Sequence, residues 1–423
     1  MGASETTYMI LSFMGVAAFL LTQDTVTLTL DQAAARAVAV SPRMLAAEGA
    51  VRAPQGLRAE SRWPIADNPT LSFGRTQRTT PPGTTQDRAW ELSQSFDFSG
   101  QWVWRGRAAN ALIEAARARI EDERRLVALD ARRAYLEVAI AERRAALTDS
   151  AAGFAERLSD FARRQLDAGE INRLERNAAA LDAARARSAA ERASAEVAAA
   201  RAELGRLLGL PVNTTPRTTA LPTIPRLTWT SDAALVTRAL SRRPDLRAAA
   251  ARELGMRRAV TAAKLARFPS VVASTFGGRE AGTDRLQGVQ VGLAVPLFRR
   301  EQARLGLADA ERALAAAELI GAERTVAADV LAAGERFRRA VISERRFVTE
   351  VLRAATENVT LTERALTEGE VSVTDVLVLR GTAVAAQLEY LEVLRDAASA
   401  WFDLSAALAA EPGALPTLLN PGT

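Results

Sequence analysis

The sequence predicts a mainly α-helical protein with a small β part, built as two tandem structural repeats. The segment LDAGEINRLE at 166–175 returns as LTEGEVSVTD at 366–375, with Leu, Gly and Glu in the same places. A period of domain size indicates a duplicated unit rather than a solenoid. Long proline-free stretches predict extended helices, and two short alternating segments predict strands.

Composition excludes several classes of function. The 423 residues include no Cys and no His, which rules out disulfides, thiolate or imidazole metal ligands, and Ser-His or Cys-His nucleophiles. The formal net charge is +5, but Arg alternates with Glu and Asp, as in RARIEDERR at 117–125. We interpret such stretches as solvated helix faces rather than a nucleic-acid surface. With no phosphate-binding Gly loop or nucleophile elbow, we expect no enzymatic activity and no cofactor or metal.

Residues 1–26 are predicted to form a signal segment ahead of the folded chain. The apolar run Met9 to Leu21 is too short to cross a bilayer as a helix, and its length suits the central part of a secretory signal. No basic residue precedes it, so an ordinary apolar N-terminus is the alternative.

The first repeat is assigned to 27–210. It is predicted to begin with a helix at 30–61 that breaks at Pro54 and Gly56, followed by a strand pair. A long helix at 101–168 follows, and its length at 1.5 Å per residue is roughly 100 Å. A glycine turn at 169–172 reverses the chain into a return helix at 173–208.

The second repeat is assigned to 231–411 and follows the same order. A proline-rich linker at 211–230 joins the halves. The repeat begins with a helix at 231–267 and continues with a strand pair. A long helix at 300–368, a tip at 369–373 and a return helix at 374–410 complete it, and 412–423 form a tail.

Two segments alternate between apolar and polar residues, at 89–98 and 289–297. Their length of about ten residues suits a tilted membrane strand. Weaker strands precede them at 70–77 and 270–277, and the polar segments 78–88 and 278–287 are predicted to be hairpin loops. The predicted lipid-facing residues are Trp90, Leu92, Phe96, Phe98, Val289, Val291, Leu293 and Val295.

Four strands per chain cannot close a barrel, and open sheet edges are not tolerated in lipid. If these strands enter a membrane, several chains must combine them. A trimer would supply twelve strands, whereas the eight of a dimer are too few for an aqueous pore. The alternative is a soluble coiled-coil scaffold on which both hairpins pack. The long helices favour the membrane interpretation, because they leave no compact core for the hairpins to cover.

The chain resembles the TolC-like outer-membrane efflux family over nearly all of 27–410. The resemblance rests on the tandem halves, the strand pair before each long helix, and the tip segments GEINRLE at 169–175 and GEVSVTDVL at 369–377. NPTLSFG followed by WELSQSFDFSG is similar to the branch that includes heavy-metal cation efflux channels.

The resemblance implies a homotrimer in the outer membrane of a Gram-negative bacterium. Its long antiparallel helical hairpins would form an α-barrel across the periplasm, and its strands a 12-stranded transmembrane β-barrel. Such a channel is a passive exit duct that uses no cofactor and binds no nucleic acid. It works with a periplasmic adaptor protein and an inner-membrane pump, and its candidate cargoes are metal cations or drugs. A type I secretion duct is the alternative within this architecture.

The resemblance also implies roles for residues at the helix tips. Asp375 matches a family position whose carboxylates form a ring at the periplasmic entrance, and Glu175 occupies the equivalent place in the first tip. The family's second acidic position is Val378 here. The alternative for both acids is a charge favoured by the helix dipole. The expected adaptor-docking residues are Gly169, Glu170, Gly369 and Glu370.

Overall fold

The computed structural model describes residues 24–414, apart from 66, 82, 226–230, 282, 299–300 and 369–370. Most of the predicted signal segment, 1–23, therefore lies outside the described residues. Residues 24–26 at its predicted end form the start of the first strand.

The first repeat contains three strands and five helices among the described residues. They are β1 (Asp24–Leu28), α1 (Leu30–Val40), α2 (Pro42–Ala50), α3 (Arg52–Glu60), β2 (Thr70–Thr80), β3 (Gly83–Phe96), α4 (Gln101–Asp167) and α5 (Arg173–Leu207). Thr29 and Gln32 form a capping box at the start of α1. Ser41 caps α2, which has proline as its first residue.

The predicted break at Pro54 and Gly56 is wrong. Helix α3 runs through both residues. Pro54 falls in the first turn of α3, where a missing backbone N–H interrupts no internal hydrogen bond. The regular helix is instead interrupted at Ser41, which has an extended backbone, and at Val51, and these two residues separate α1, α2 and α3.

The second repeat has the same order with one addition. Its elements are β4 (Thr214–Thr218), α6 (Asp232–Arg242), α7 (Pro244–Leu265), β5 (Ser270–Glu280), β6 (Asp284–Ala294), α8 (Gln302–Arg346), a π-helical segment (Phe347–Leu352), α9 (Arg353–Glu368), α10 (Val373–Ala407) and a 3-10 turn (Pro412–Ala414). The long helix predicted at 300–368 corresponds to α8, the π-helical segment and α9, which follow one another without a gap. Phe347 begins that segment and stacks on Tyr390 of α10, with ring centroids 6.4 Å apart.

The strands are longer toward the hairpin turns than the alternation predicted. β2 and β3 pair from Thr80 with Gly83, and β5 and β6 pair from Glu280 with Asp284. The predicted hairpin loops at 78–88 and 278–287 are therefore mostly strand. Polar residues fill these strand ends, so composition alone made them resemble loops. At the opposite ends, Phe98 and Val295 lie beyond β3 and β6.

Long helices give the chain its length. α4 has 67 residues, which corresponds to roughly 100 Å at 1.5 Å per residue. It packs against α5 and α10 over one part of its length and against α3 and α7 over another. None of the described helices combines the length and apolar character needed to cross a bilayer.

Each repeat buries a core where its first helix, long helix and return helix meet. In the first repeat this core includes Ala33 of α1, Tyr135 of α4 and Leu204 of α5. In the second, Leu235 of α6, Val330 of α8 and Phe402 of α10 occupy comparable places, and Leu136 of α4 joins them. The two cores lie on neighbouring residues of α4, so this helix holds the repeats together.

The predicted linker contains a strand. β4 pairs in parallel with β1, from Asp24 opposite Thr214 to Leu28 opposite Thr218. Beyond β4, the buried Tyr135 hydroxyl donates a hydrogen bond to the Ala220 carbonyl at 3.1 Å and accepts one from the Thr219 N–H at 3.1 Å. The segment between the repeats is thus bound to the middle of α4.

Equivalent helix ends in the two repeats use different residues in the same backbone conformation. After α5, Gly209 has φ of +58°, and after α10, Ala409 has φ of +48°. Both helix ends have the hydrogen bonds of a Schellman motif. In each motif the longer-range bond measures 2.9 Å, from Leu210 N–H to Gly205 O and from Ala410 N–H to Ser405 O. Alanine is disfavoured in this left-handed region because its Cβ approaches the carbonyl oxygen.

We therefore expect Ala409→Gly to stabilise the protein by about 0.5–1 kcal/mol. Gly209→Ala should have the opposite effect, because the new Cβ would also lie 3.2 Å from Cγ2 of Val40. Thermal unfolding of the purified protein measures both changes. An unfolding temperature that falls for Ala409→Gly would contradict the assignment.

Candidate functional site

The antiparallel sheet β2-β3-β5-β6 places the predicted lipid-facing residues of its strands together. Leu92 lies opposite Thr275, which lies opposite Val289, and Phe96 lies opposite Val271, which lies opposite Leu293. Residues directly opposite one another share a face. Trp90, Leu92, Phe96, Val289, Val291 and Leu293 therefore all lie on one face, which we call the apolar face. Leu71 and Phe73 of β2, opposite Leu92 and Trp90, extend it.

The opposite face of the sheet carries mostly small or polar side chains, and its larger apolar residues are Val272, Phe276 and Leu286. Its residues include Ser72 of β2, Glu91 and Ser93 of β3, Ser274 of β5 and Gln290 of β6. A sheet that is apolar on one side and polar on the other suits a wall between lipid and water. On the apolar face, Phe73 is 78% exposed and Val289 is 79% exposed, so nothing in the described chain covers them.

Both edges of this sheet are open. β2 pairs only with β3, and β6 only with β5, among the described strands. Each edge therefore presents a row of backbone N–H and C=O groups able to pair with another chain. In a bilayer these rows require partners, because lipid offers no hydrogen bonds.

The first helix tip is a tight turn centred on a glycine. Gly169 has φ of +80°. Its N–H donates to Leu166 O at 3.0 Å, and the Glu170 N–H donates to Gln165 O at 2.9 Å. This pattern ends α4 and leaves Gly169 and Glu170 exposed. The corresponding Gly369 and Glu370 lie outside the described residues.

The two predicted entrance acids each occupy the third residue of a return helix. The Asn172 side chain caps α5 by accepting from the Glu175 N–H at 3.0 Å. Ser372 and Asp375 form a full capping box at α10: the Asp375 N–H donates to Ser372 Oγ at 3.1 Å, and the Ser372 N–H donates to Asp375 Oδ2 at 3.2 Å. The Ser372 hydroxyl also donates to Asp375 Oδ2 at 2.7 Å. The hydroxyl and the backbone N–H of Ser372 hold the pKa of Asp375 below its usual value. Asp375 therefore stays ionised at any pH near neutrality.

Sequence reasoning missed the two capping residues. Asn172 and Ser372 each stand three residues before an acid, which is the spacing of a capping box. That spacing was the available signal. It identifies a structural role for the Asp375 carboxylate, whereas the cap of α5 engages only the backbone N–H of Glu175.

The tips of both hairpins pack together. Val373 and Val376 at the start of α10 are buried with Leu158 and Ala162 of α4 and with Ala179 of α5. The Arg380 guanidinium also lies 3.6 Å from the centre of the Phe154 ring of α4. Glu175 and Asp375 are thus brought to the same end of the rods. Among the described residues, no group of three or more acidic side chains is arranged to hold a metal ion.

The fold is that of an outer-membrane channel subunit. The outer-membrane channel OprN is 19% identical, with 90% of each chain covered and a TM-score of 0.75. The CmeC channel of Campylobacter jejuni is 13% identical, with 96% of this chain and 93% of that chain covered and a TM-score of 0.76. The open MtrE channel of Neisseria gonorrhoeae is 17% identical over 90% and 89%, with a TM-score of 0.68.

The family model for outer membrane efflux proteins matches residues 33–210 and 235–410. The chain therefore belongs to the outer membrane efflux protein family. The predicted resemblance, fold class and outer-membrane duct function are confirmed. No curated protein sequence matched significantly.

Proposed function

We propose that three copies of this chain form a passive exit duct between the periplasm and the cell exterior. The observation that carries the proposal is the four-stranded sheet with two open edges, joined to helical rods of roughly 100 Å. Pairing β6 of one copy with β2 of the next satisfies both edges. Three copies then supply twelve strands, enough for a water-filled barrel.

In this trimer the apolar face contacts lipid and the polar face lines the pore. The lipid contacts include Trp90, Leu92, Phe96, Val289, Val291 and Leu293, with Phe98 and Val295 following just beyond the strand ends. Trp90 and Phe73 lie toward the hairpin turns, and Phe96 stacks on Phe98 at 6.2 Å toward the helices. Aromatic residues at both borders of an apolar band are typical of membrane barrels.

The helix tips face the periplasm and dock to an adaptor protein that connects the duct to an inner-membrane pump. Gly169 and Glu170 contribute to this contact in one hairpin, and Gly369 and Glu370 in the other. Exposure of the first pair supports the assignment. Transport energy comes from the pump, so the duct itself has no reaction to perform.

Purification in detergent followed by mass measurement and planar-bilayer recording tests the duct. We expect a trimer that forms ion-conducting pores. A stable monomer in detergent-free buffer would support the soluble-scaffold alternative instead. Co-expression with efflux or type I secretion partners, scored by resistance to metal cations or drugs and by peptide export, distinguishes the classes of cargo.

We further propose that Asp375 and Glu175 control ion entry at the tips. Three copies of each acid would surround a narrow opening, and rings of carboxylates attract and retain divalent cations. Asp375→Asn should therefore weaken block of the channel by divalent cations by about threefold or more. Because the pKa of Asp375 is lowered, block in the parent protein should persist on acidification until the pH falls below the usual range for aspartate.

Ser372→Ala is the matched control for this prediction. It removes the hydroxyl that hydrogen-bonds Asp375 but leaves the carboxylate. If charge at the entrance matters, the serine variant keeps divalent block while the asparagine variant loses it. Equal changes in both variants would show that the capping box, rather than the charge, is responsible.

A further inference from the structure

Four arginines form a continuous row across the sheet. Arg75 of β2 lies directly opposite Arg88 of β3, Arg88 lies opposite Arg279 of β5, and Arg279 lies opposite Arg285 of β6. One arginine thus comes from every strand. Like charges directly opposite each other destabilise a sheet, because their Cβ atoms are only about 5 Å apart. A nearby negative charge would reduce the repulsion between these arginines.

The row lies on the apolar face. Moving two residues toward the helices along β2 and β3, Arg75 is followed by Phe73 and Arg88 by Trp90, which lie opposite each other. Trp90 lies over Gly277, where an added Cβ would be 2.9 Å from the indole Nε1. The arginine row therefore borders the aromatic and aliphatic residues assigned to lipid.

The described protein does not neutralise this row. Within the four strands, the apolar face contains no Asp or Glu, and none of the four arginines forms an ion pair with another described residue. Arg75 donates a hydrogen bond to Gln86, which is uncharged. By contrast, Arg78 on the polar face contacts Asp87 at 2.9 Å and Glu280 at 3.6 Å. Arg78 on the polar face thus has acidic partners among the described residues, whereas the four arginines of the row have none.

The position of the row along the sheet matches that of a lipid headgroup layer. Arg88 and Phe96 are eight residues apart on β3, about 27 Å along a strand at 3.4 Å per residue. A strand tilt of about 40° reduces this to about 20 Å along the membrane normal, close to the ~25 Å apolar band of membrane barrels. Since the hairpin turns are the ends farthest from the helices, this border is at the outer leaflet.

The arginines also line a groove. This open depression of about 610 Å³ is bordered by all four arginines together with Phe73, Trp90, Gln287 and the backbone of Gly277 and Gly278. Guanidinium groups bind phosphate through two parallel hydrogen bonds. The aromatic rings of Phe73 and Trp90 border the same groove. They suit contact with the acyl chains of a phosphate-bearing lipid.

We propose that this groove binds the phosphate groups of an anionic, phosphorylated lipid headgroup in the outer leaflet, one site per chain. The inference rests on the proposed membrane position of the sheet. Arg75, Arg88, Arg279 and Arg285 bind the phosphates, and Phe73 and Trp90 contact the lipid below. Bound phosphate offsets the repulsion along the row and anchors the barrel at its outer border.

Lipid binding to the purified trimer tests the proposal. The probes are diphosphoryl lipid A, monophosphoryl lipid A and phosphatidylcholine, added singly to the detergent-solubilised protein and followed by native mass spectrometry. We expect up to three diphosphoryl lipids per trimer, weaker binding of the monophosphoryl form, and loss of the preference in high salt. Equal binding of all three lipids by the parent protein would overturn the proposal without any variant.

Variants then assign the site. Changing Arg75, Arg88, Arg279 and Arg285 together to glutamine should weaken diphosphoryl lipid binding at least about tenfold, whereas the matching lysine variant should retain most of it. Arg78→Gln, on the polar face, is the control and should bind like the parent. Unchanged binding by the quadruple glutamine variant would overturn the proposal.

Pore recordings separate this proposal from the proposed function. Trimer mass and conductance report on the duct, and both should survive the glutamine changes because the row faces lipid. A change of ion selectivity in the quadruple variant would place the row in the pore and overturn the lipid site. A parent protein that forms neither trimers nor pores would instead refute the duct itself.

Discussion

Gly278→Ala is expected to prevent most of the protein from assembling as a trimer. An added Cβ at Gly278 would lie 2.4 Å from the carbonyl oxygen of Arg88 and 3.3 Å from Cα of Ala89. Both atoms belong to the backbone of the neighbouring strand β3, so a change of side-chain rotamer cannot relieve the overlap. Relieving the overlap requires the two central strands to separate, at a cost of about 1–3 kcal/mol per chain. Three chains share this defect in every barrel.

The matched control is Gly292→Ala. Gly292 lies in β6 on the same polar face, and an added Cβ there would have no described atom within 4 Å apart from its chain neighbours. The measurement is the fraction of membrane-extracted protein that migrates as a trimer. Wild-type amounts of trimer from Gly278→Ala would show that the β3–β5 pairing tolerates the extra carbon.

Arg243→Ala is expected to lower the free energy of unfolding by roughly 1.5–3 kcal/mol, because it removes a buried guanidinium that hydrogen-bonds two partly exposed carboxylates. The Arg243 side chain is 6% exposed and lies between α6 and α7. Its Nη2 is 2.6 Å from Asp245 Oδ2, and its Nη1 is 2.9 Å from Asp329 Oδ2 of α8. Without the guanidinium, two carboxylates lose their shared counter-ion.

Urea denaturation of the variant measures this loss. Arg117→Ala is the control, because Arg117 forms an exposed pair with Glu114 in α4. Exposed pairs of this kind contribute below about 0.5 kcal/mol. If both variants were equally stable, the Arg243 cluster would contribute no more to the free energy of unfolding than a surface ion pair does.

The same cluster predicts how stability depends on pH. Burial alone would raise the pKa of Asp245, but the hydrogen bond and the charge of Arg243 outweigh burial and lower it. A carboxyl whose folded pKa is lowered contributes stability that is present above its unfolded pKa and is lost as the pH falls through the folded value. Acidification below about pH 4 should therefore destabilise the parent protein more steeply than Arg243→Ala.

Features with local signals were predicted well from the sequence. The period of 200 residues, the rods without proline and the alternation of Trp90 and Leu92 with polar residues all have counterparts in the structure. Helix periodicity and strand alternation depend on residues near one another, so they are readable without knowing the fold. The family match then confirmed the architecture that these patterns indicated.

Features that depend on distant partners were missed. The polar ends of β2 and β5 are strands because each has a partner strand, and their composition alone is that of a loop. The error concealed the arginine row, since Arg75, Arg88, Arg279 and Arg285 become neighbours only when the register is known. The π-helical segment at Phe347–Leu352 contains neither Pro nor Gly, so no local signal marked it.

The pairing of β1 with β4 has a consequence for biosynthesis. Asp24 pairs with Thr214, and nearly the whole first repeat lies between them. A nascent chain must therefore be half complete before its earliest strand finds a partner, and closing such a long loop is slow. During that interval the apolar hairpin of β2 and β3 has already emerged without its own neighbour β5. Exported chains of this kind need protection from aggregation until the second repeat arrives.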